Sequence, residues 1–468
     1  MIRNEEGGLT ELRVVLNFPR AEGSGSAMMT WVLVIALLAA HASAQSKLKV
    51  VVDQDARGPC TTDIQSILMF VQSPRAEVLG ITIVSGDLWM EQELRHTLRA
   101  LEIAGRTDIP VYRGAVYPLV NTKEEAKRWE TLYGKQPYQG AWDGKSGPYE
   151  TVPLREGEPT IGPAAGHAAN FIVDAVNRFP GEVTIWGGGP LTNIALAIAL
   201  DPELPRKAKE LVVMGGGIAA RYRREFNWWF DPEAARIVLR APWKRISVTP
   251  ADVSTKTRHS DEIVARIARA GTPLARYIEK FHAVPRDPSN PDWVPEIFMW
   301  DELSAASVLD PSLITETREM YIDVDIDRGI QYGYTLAWEP DQHEPPGVAK
   351  VNVHVDVDLA RFYDLYVELM TRVALRHDAD DLDESHLGQR GPQLSPMGVE
   401  VETPQLDLDP EGFSTLLLQE ELDCVARFVP RHGVSGTRRR AVGVRELRSR
   451  FLLPDGSARW AKLSSMRE

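Results

Sequence analysis

The sequence predicts an α/β fold, with a mostly parallel central sheet covered by helices on both faces. Three observations carry that expectation. From residue 47 onward, short β-branched runs alternate with segments whose apolar residues recur at helical spacing, the pattern of parallel strands joined by helical crossovers. Glycine-rich or acidic turns follow these runs rather than precede them. The 468 residues also carry ordinary apolar and charged fractions, 43% and 25%, so the chain can bury a large core.

Taken in order, "KVVVDQD" (49–55) reads as the first strand and "IQSILMFVQS" (64–73) as the helix that follows it. "VLGITIVSG" (78–86) is the second strand and "MEQELRHTLRALEIAG" (90–105) the next helix, ending at a glycine. "IPVYRG" (109–114), "VTIWGGG" (183–189), "ELVVMGGG" (210–217) and "RISVTPAD" (245–252) complete six strands. "AANFIVDAVNRF" (168–179), "LTNIALAIAL" (191–200) and "DPEAARIVLRA" (231–241) lie between them at helical spacing. Right-handed crossovers would then place every strand's carboxyl end on one edge of the sheet, where ligands bind in such folds. Asp53 and Asp55 close the first run, Ser85-Gly86-Asp87 the second, Gly187-Gly188-Gly189 the fourth and Met214-Gly215-Gly216 the fifth. One composite site is the expected result.

The flanks differ in character. Residues 1–27 read as a leader or a mis-assigned start, and 28–44, within "MMTWVLVIALLAAHASAQS", as a signal peptide cleaved near Gln45. A secreted or periplasmic protein with no membrane span after cleavage follows, the apolar run being too short to cross a bilayer. Residues 376–468 turn acidic and proline-bearing, then Arg-rich; they read as a tail with short helices, one of them at 413–427. Cys60 and Cys424 are the only cysteines, so no disulfide framework is expected. A net charge of -13 argues against a nucleic-acid partner, since phosphates need a basic face.

Asp53, Asp55 and Asp63 crowd one strand end. At neutral pH such carboxylates need a cation, protons or solvent between them. A hard divalent ion such as Ca2+ suits an all-oxygen set; a solvated acidic turn is the plainer alternative. An aspartyl-phosphate phosphatase also ends a strand in Asp-x-Asp, but the continuation Ala56-Arg57-Gly58 counts against it. Further along, "REFNWWFDPEAARIVLRAPW" (224–243) puts Glu225 and Asn227 before a helix opened by Asp231-Pro232, while "FMWDELSAASVLDPSLIT" (298–315) places Asp301 at the head of another.

"VVVDQD", "GPLTN", "VMGGG", "EFNWWFDPEAARIVL" and "WDELSAASVLDPSL" stand in that order, and in that order they resemble the inosine-uridine-preferring nucleoside hydrolase family over about residues 47–372. The resemblance implies a Rossmann-like catalytic domain that hydrolyses the N-glycosidic bond of small-molecule ribonucleosides with Ca2+, and it leaves a homo-oligomer open. By position it makes Asp55, Asp63, Asp301 and the Gly188 carbonyl metal ligands, with Asp55 taking the proton of the attacking water and Asp53 supporting it from behind. Glu225, Asn227 and Met214 would hold the ribose. Trp300, Trp142 and Asp87 resemble the purine-preferring branch, in which two tryptophans sandwich the base, with Asp87 serving its departure; Trp228 and Trp229 are further candidates for the cavity mouth.

Two departures stand out. The turn from Asp55 to Asp63 is several residues longer than the family pattern, and Thr62 occupies the place of an acid that contacts the ribose. The stretch "GGIAARYRREFN" (216–227) brings Arg221, Arg223 and Arg224 where a 5'-hydroxyl contact is expected. A catalytically silent sugar- or nucleoside-binding protein, or a hydrolase of another N-riboside, is therefore the competing reading.

Overall fold

A computed structural model describes residues 47–144, 146–282 and 298–372, together with the backbone of 449–452 and 458–461. The expected leader, the signal peptide and the helix at 413–427 lie outside these residues.

Nine strands build one sheet: β1 (Leu48–Gln54), β2 (Ala76–Ile83), β3 (Val111–Arg113), β4 (Val183–Gly187), β5 (Glu210–Met214), β6 (Ile246–Thr249), β7 (Ile314–Val324), β8 (Thr335–Trp338) and β9 (Lys350–Val357). Their spatial order is β3-β2-β1-β4-β5-β6-β9-β7-β8. Pairing is parallel from β3 through β9, and β7 is antiparallel to both β9 and β8. The six expected strands are β1 to β6. The antiparallel edge adds the other three.

In the first half of the chain the helices are α1 (Thr62–Gln72), α2 (Met90–Ala104), α3 (Lys123–Tyr133), α4 (Ala168–Arg178), α5 (Thr192–Leu200) and α6 (Leu204–Lys207). The second half adds α7 (Phe226–Phe230), α8 (Pro232–Arg240), α9 (Ala251–Ser254), α10 (Asp261–Ala268), α11 (Pro273–Phe281), α12 (Trp300–Leu309) and α13 (Leu359–Thr371). Successive strand side chains alternate between faces, and β1 shows the consequence. Val50 and Val52 join a core with α1, α2, α11, α12 and α13, while Val51 joins a second core with α4, α5 and α8. All three valines are fully buried, so the run is apolar on both faces, as a central parallel strand must be. Among the described residues no helix is long and apolar enough to cross a membrane.

Helix α1 is buried from Asp63 to Gln72 and packs against α12 and α13. That contact matters for the site, because it sets the first turns of α1 and α12 side by side. In the tail, Ser449–Leu452 and Ala458–Ala461 pair as two antiparallel strands.

Candidate active site

Strand β1 lies between β2 and β4, so the residues that follow it are flanked by the turns that follow its neighbours. Gly188 N–H donates to Asp53 O at 2.8 Å and Val84 N–H to Gln54 O at 3.1 Å. Asp87 N–H then reaches the Asp55 carboxylate at 3.0 Å. Two glycines press on that carboxylate: a Cβ at Gly86 or at Gly189 would overlap Asp55 side-chain atoms. Gly86→Ala is therefore expected to displace Asp55 and to cost about 1–3 kcal/mol of stability through overpacking, read as a lower Tm together with a loss of kcat.

Asp53 points into the protein. Its Oδ1 accepts from Thr82 Oγ1 at 2.6 Å and Asn193 Nδ2 at 2.8 Å, and burial pushes its carboxyl up to about 7. The Asn of "GPLTN" thus ties β4's turn to the end of β1 behind Asp55.

The remaining acids arrive from helix starts. Asp63 Oδ2 accepts from Thr61 Oγ1 at 2.8 Å, and the Asp63 and Asp301 carboxyls are hydrogen-bonded to each other. Asp55, Asp63 and Asp301 are each at most 4% exposed. Burial, then the neighbouring carboxylates, holds Asp55 and Asp63 well above the ordinary range. Burial raises Asp301 to about 8 and Asp87 to about 7. Asp301 Oδ1 is buried with no hydrogen-bond partner among the described residues.

Across the sheet edge stand Met214, Glu225 and Asn227. Glu225 caps α7: its carboxylate accepts from Asn227 N at 2.9 Å, Trp228 N at 3.2 Å and Gly216 N at 2.9 Å. Asn227 Nδ2 donates to Gly188 O at 2.7 Å and contacts Met214 Sδ at 3.5 Å. A cavity of about 670 Å³ is lined by Asp55, Thr62, Asp63, Asp87, Gly188, Met214, Glu225, Asn227, Trp300 and Asp301. Nearly every site residue expected from the sequence meets there.

Trp142 does not. It is 3% exposed and packs against Phe230 at 4.5 Å and Trp229 at 5.6 Å between ring centroids, in a small aromatic core behind the cavity-lining Phe226. Trp228 and Trp229 are buried as well, so neither forms the cavity mouth. The aromatic run after Asn227 packs instead of projecting, because α7 is one short helix whose capped start faces the cavity.

Thr62 lines the cavity, but its hydroxyl is engaged. It donates to Glu302 Oε2 and accepts from Asp301 N–H at 3.1 Å, and Glu302 in turn bonds His259 Nε2 at 3.1 Å. Thr62 therefore ties α1 to α12. Three participants escaped the sequence reading: Arg57, Tyr138 and Glu302. The first two line the cavity; Glu302 buttresses it. Only Glu302 had a local signal, its adjacency to Asp301.

Among the described residues no group of three or more His, Cys, Asp or Glu side chains is arranged as a complete ion-binding set. The donors nonetheless fit a hard cation. Two carboxyls in contact require a shared proton or a cation between them, Asp301 Oδ1 lacks a partner, and the Gly188 carbonyl keeps a second lone pair. Asp55, Asp63, Asp301 and Gly188 O are the groups that would hold it.

Fold and site together describe an α/β protein with an acidic centre at the carboxyl ends of its parallel strands. The family model for inosine-uridine preferring nucleoside hydrolases matches residues 50–364, and the chain belongs to that family. Pyrimidine-specific ribonucleoside hydrolase RihB of Escherichia coli (strain K12) is 28% identical over 319 residues, covering 67% of this chain and 94% of that protein. The plant nucleoside hydrolase PpNRh1 superposes with a TM-score of 0.56 at 25% identity, covering 70% of this chain and 99% of its own. A purine-preferring ribonucleoside hydrolase from Gardnerella vaginalis shares the fold, with a TM-score of 0.56 at 23% identity over 69% of this chain and 98% of its own. Membership makes the chain an N-glycosyl hydrolase of ribonucleosides, in a metal-dependent family.

Proposed function

We propose that the protein is an exported, Ca2+-dependent hydrolase of purine ribonucleosides, releasing base and ribose. The observation that carries this reading is the convergence of Asp55, Asp63 and Asp301, all buried, with Glu225, Asn227 and Trp300 around one cavity. Held by Asp55, Asp63, Asp301 and the Gly188 carbonyl, the cation would make a water more acidic and favour negative charge on nearby oxygens. Asp55, steadied by Asp87 N–H, takes the proton of the attacking water. Asn227, oriented through Gly188 O and Met214, and Glu225, held by three backbone N–H groups, face the sugar. Their acceptor oxygens stabilise the positive charge that builds on the ribose as its bond to the base stretches. Trp300 offers an indole face, which favours the larger purine ring. The apolar segment 28–44 supports export.

The test is a panel of purine and pyrimidine ribonucleosides supplied with Ca2+, read as released reducing sugar. Purines are expected to be cleaved with the higher kcat/KM, and Trp300→Ala to raise the purine KM about 10-fold, the scale of one lost base–aromatic contact. Faster cleavage of pyrimidines would overturn the base assignment. Release from no nucleoside would leave the silent binding protein as the better reading.

A further inference from the structure

The segment 56–62 lengthens the turn between β1 and α1, and it carries one long side chain, Arg57. The backbone of that turn is held in place from several directions. Arg57 N–H donates to Asp55 O at 2.8 Å, and Thr61 Oγ1 bonds the Arg57 carbonyl as well as Asp63. Gly58 packs against the His96 ring, which is itself bonded to buried Glu156. From this anchored loop Arg57 Nη1 donates to Tyr138 Oη at 2.8 Å and comes within 4.0 Å of Asp87 Oδ2. Tyr138 also hydrogen-bonds Asp87, and its ring stands edge-on to Phe226 at 4.9 Å.

The order of strands places this cluster. Asp87 follows β2, whereas Met214 follows β5, with Glu225 and Asn227 further along the same connection; β1 and β4 lie between. Neighbouring strands are about 4.8 Å apart, so the ends of β2 and β5 lie about 14 Å apart, and the Phe226 side chain reaches back from the β5 side to Tyr138. If the ribose is held near β5 and over Asp55, the base extends toward β2. There it meets Asp87, Arg57 and Tyr138.

We propose that Arg57 and Tyr138 form a site for the departing base, stabilising the negative charge it acquires as the glycosidic bond breaks; this rests on the hydrolase reading above. The C1'–N bond breaks with its electron pair going to the base nitrogen. Water oxygen bonds to C1', and the water's proton goes to Asp55. Arg57, a fixed cation, donates hydrogen bonds to the base anion, and the Tyr138 hydroxyl turns its one O–H from Asp87 to it, until the base takes a proton from solvent; Asp55 returns its own proton to solvent. One water is consumed in total. Arg57 thus supplies help for the leaving base from the lengthened turn.

The experiment compares a purine nucleoside, inosine, with 4-nitrophenyl β-D-ribofuranoside, whose phenolate departs without assistance, using the full-length protein supplied with Ca2+. Arg57→Ala is expected to lower kcat on inosine about 100-fold, the scale of one lost preorganised donor to a developing anion, while kcat on the phenyl riboside stays within about 3-fold of the parent, far below that scale. Arg57→Lys should recover part of the loss, keeping charge but not the guanidinium fork. Tyr138→Phe removes only a hydroxyl and leaves the ring on Phe226, so it carries the test if Arg57→Ala does not fold; about a 10-fold loss on inosine alone is expected, a single neutral donor being the weaker one. An equal loss on both substrates, or no loss on either, overturns the inference. A parent protein that cleaves neither substrate overturns the hydrolase reading itself.

Discussion

Asp55→Asn is expected to lower kcat on every ribonucleoside by about 1,000-fold or more, near the upper range for losing a general base, with little change in KM. The substitution is nearly isosteric. Its amide oxygen still accepts the 3.0 Å bond from Asp87 N–H, and its size still satisfies Gly86 and Gly189, which leave no room for anything larger. What disappears is basicity and charge. Because burial first, and then Asp87, Asp63, Glu93 and Asp301, push the Asp55 carboxyl up, a neutral amide relieves desolvation and repulsion rather than adding to them. The Tm of the metal-free variant should therefore be no lower than that of the parent. A folded and at least equally stable protein that has lost turnover separates a chemical role, as base or as cation ligand, from a structural one. Turnover within 10-fold of the parent would remove Asp55 from the role of base, since general-base catalysis contributes at least about 100-fold.

How much of this was legible in the sequence depends on the kind of signal. β1 to β6 announced themselves as apolar runs because a central parallel strand is buried on both faces, and the turns after them gathered Asp55, Asp87, Gly188 and Met214 at one edge by topology alone. Strand β9, "KVNVHVDV", alternates valine with polar residues and carried an equally plain period-two signal, which a reading focused on βαβ units passed over. Trp142 illustrates the opposite failure. A tryptophan close in sequence to a glycine turn looks the same whether it stacks on a base or packs on Phe230, and only the path of 134–144 across the sheet edge decides. Arg57 and Tyr138 lie 81 residues apart, and Thr62 and Glu302 lie 240 apart. Such pairings have no local signature. Thr62 was noticed as a missing acid, yet its actual partner could be identified only once α1 and α12 were seen packed together.

Metal removal is expected to have the second large effect, on both turnover and stability. Asp53, Asp87, Glu302 and Asp301 have folded-state values of about 7, about 7, about 8 and about 8, all above the ordinary carboxylate range near 4. A carboxyl whose folded pKa is raised holds its proton more tightly in the folded protein. Its contribution to stability is complete below the unfolded value and is lost as pH rises through the folded one. Metal-free protein should therefore lose Tm steadily between about pH 4 and about pH 8. Ca2+ held by Asp55, Asp63 and Asp301, as proposed, would reverse the sign of the problem there, since a divalent cation favours the ionised form of every ligand it touches. Saturation at about 100 times Kd adds about 2.7 kcal/mol, which for a domain of this size corresponds to a rise of about 5 °C at pH 8. At pH 5 the same Ca2+ must displace protons and the rise should shrink. Chelation should abolish release of base at pH 8, and Ca2+ should restore it together with the Tm. A Tm at pH 8 unmoved by Ca2+, Mg2+ or Mn2+ would mean that the Asp63 and Asp301 carboxyls share a proton rather than an ion.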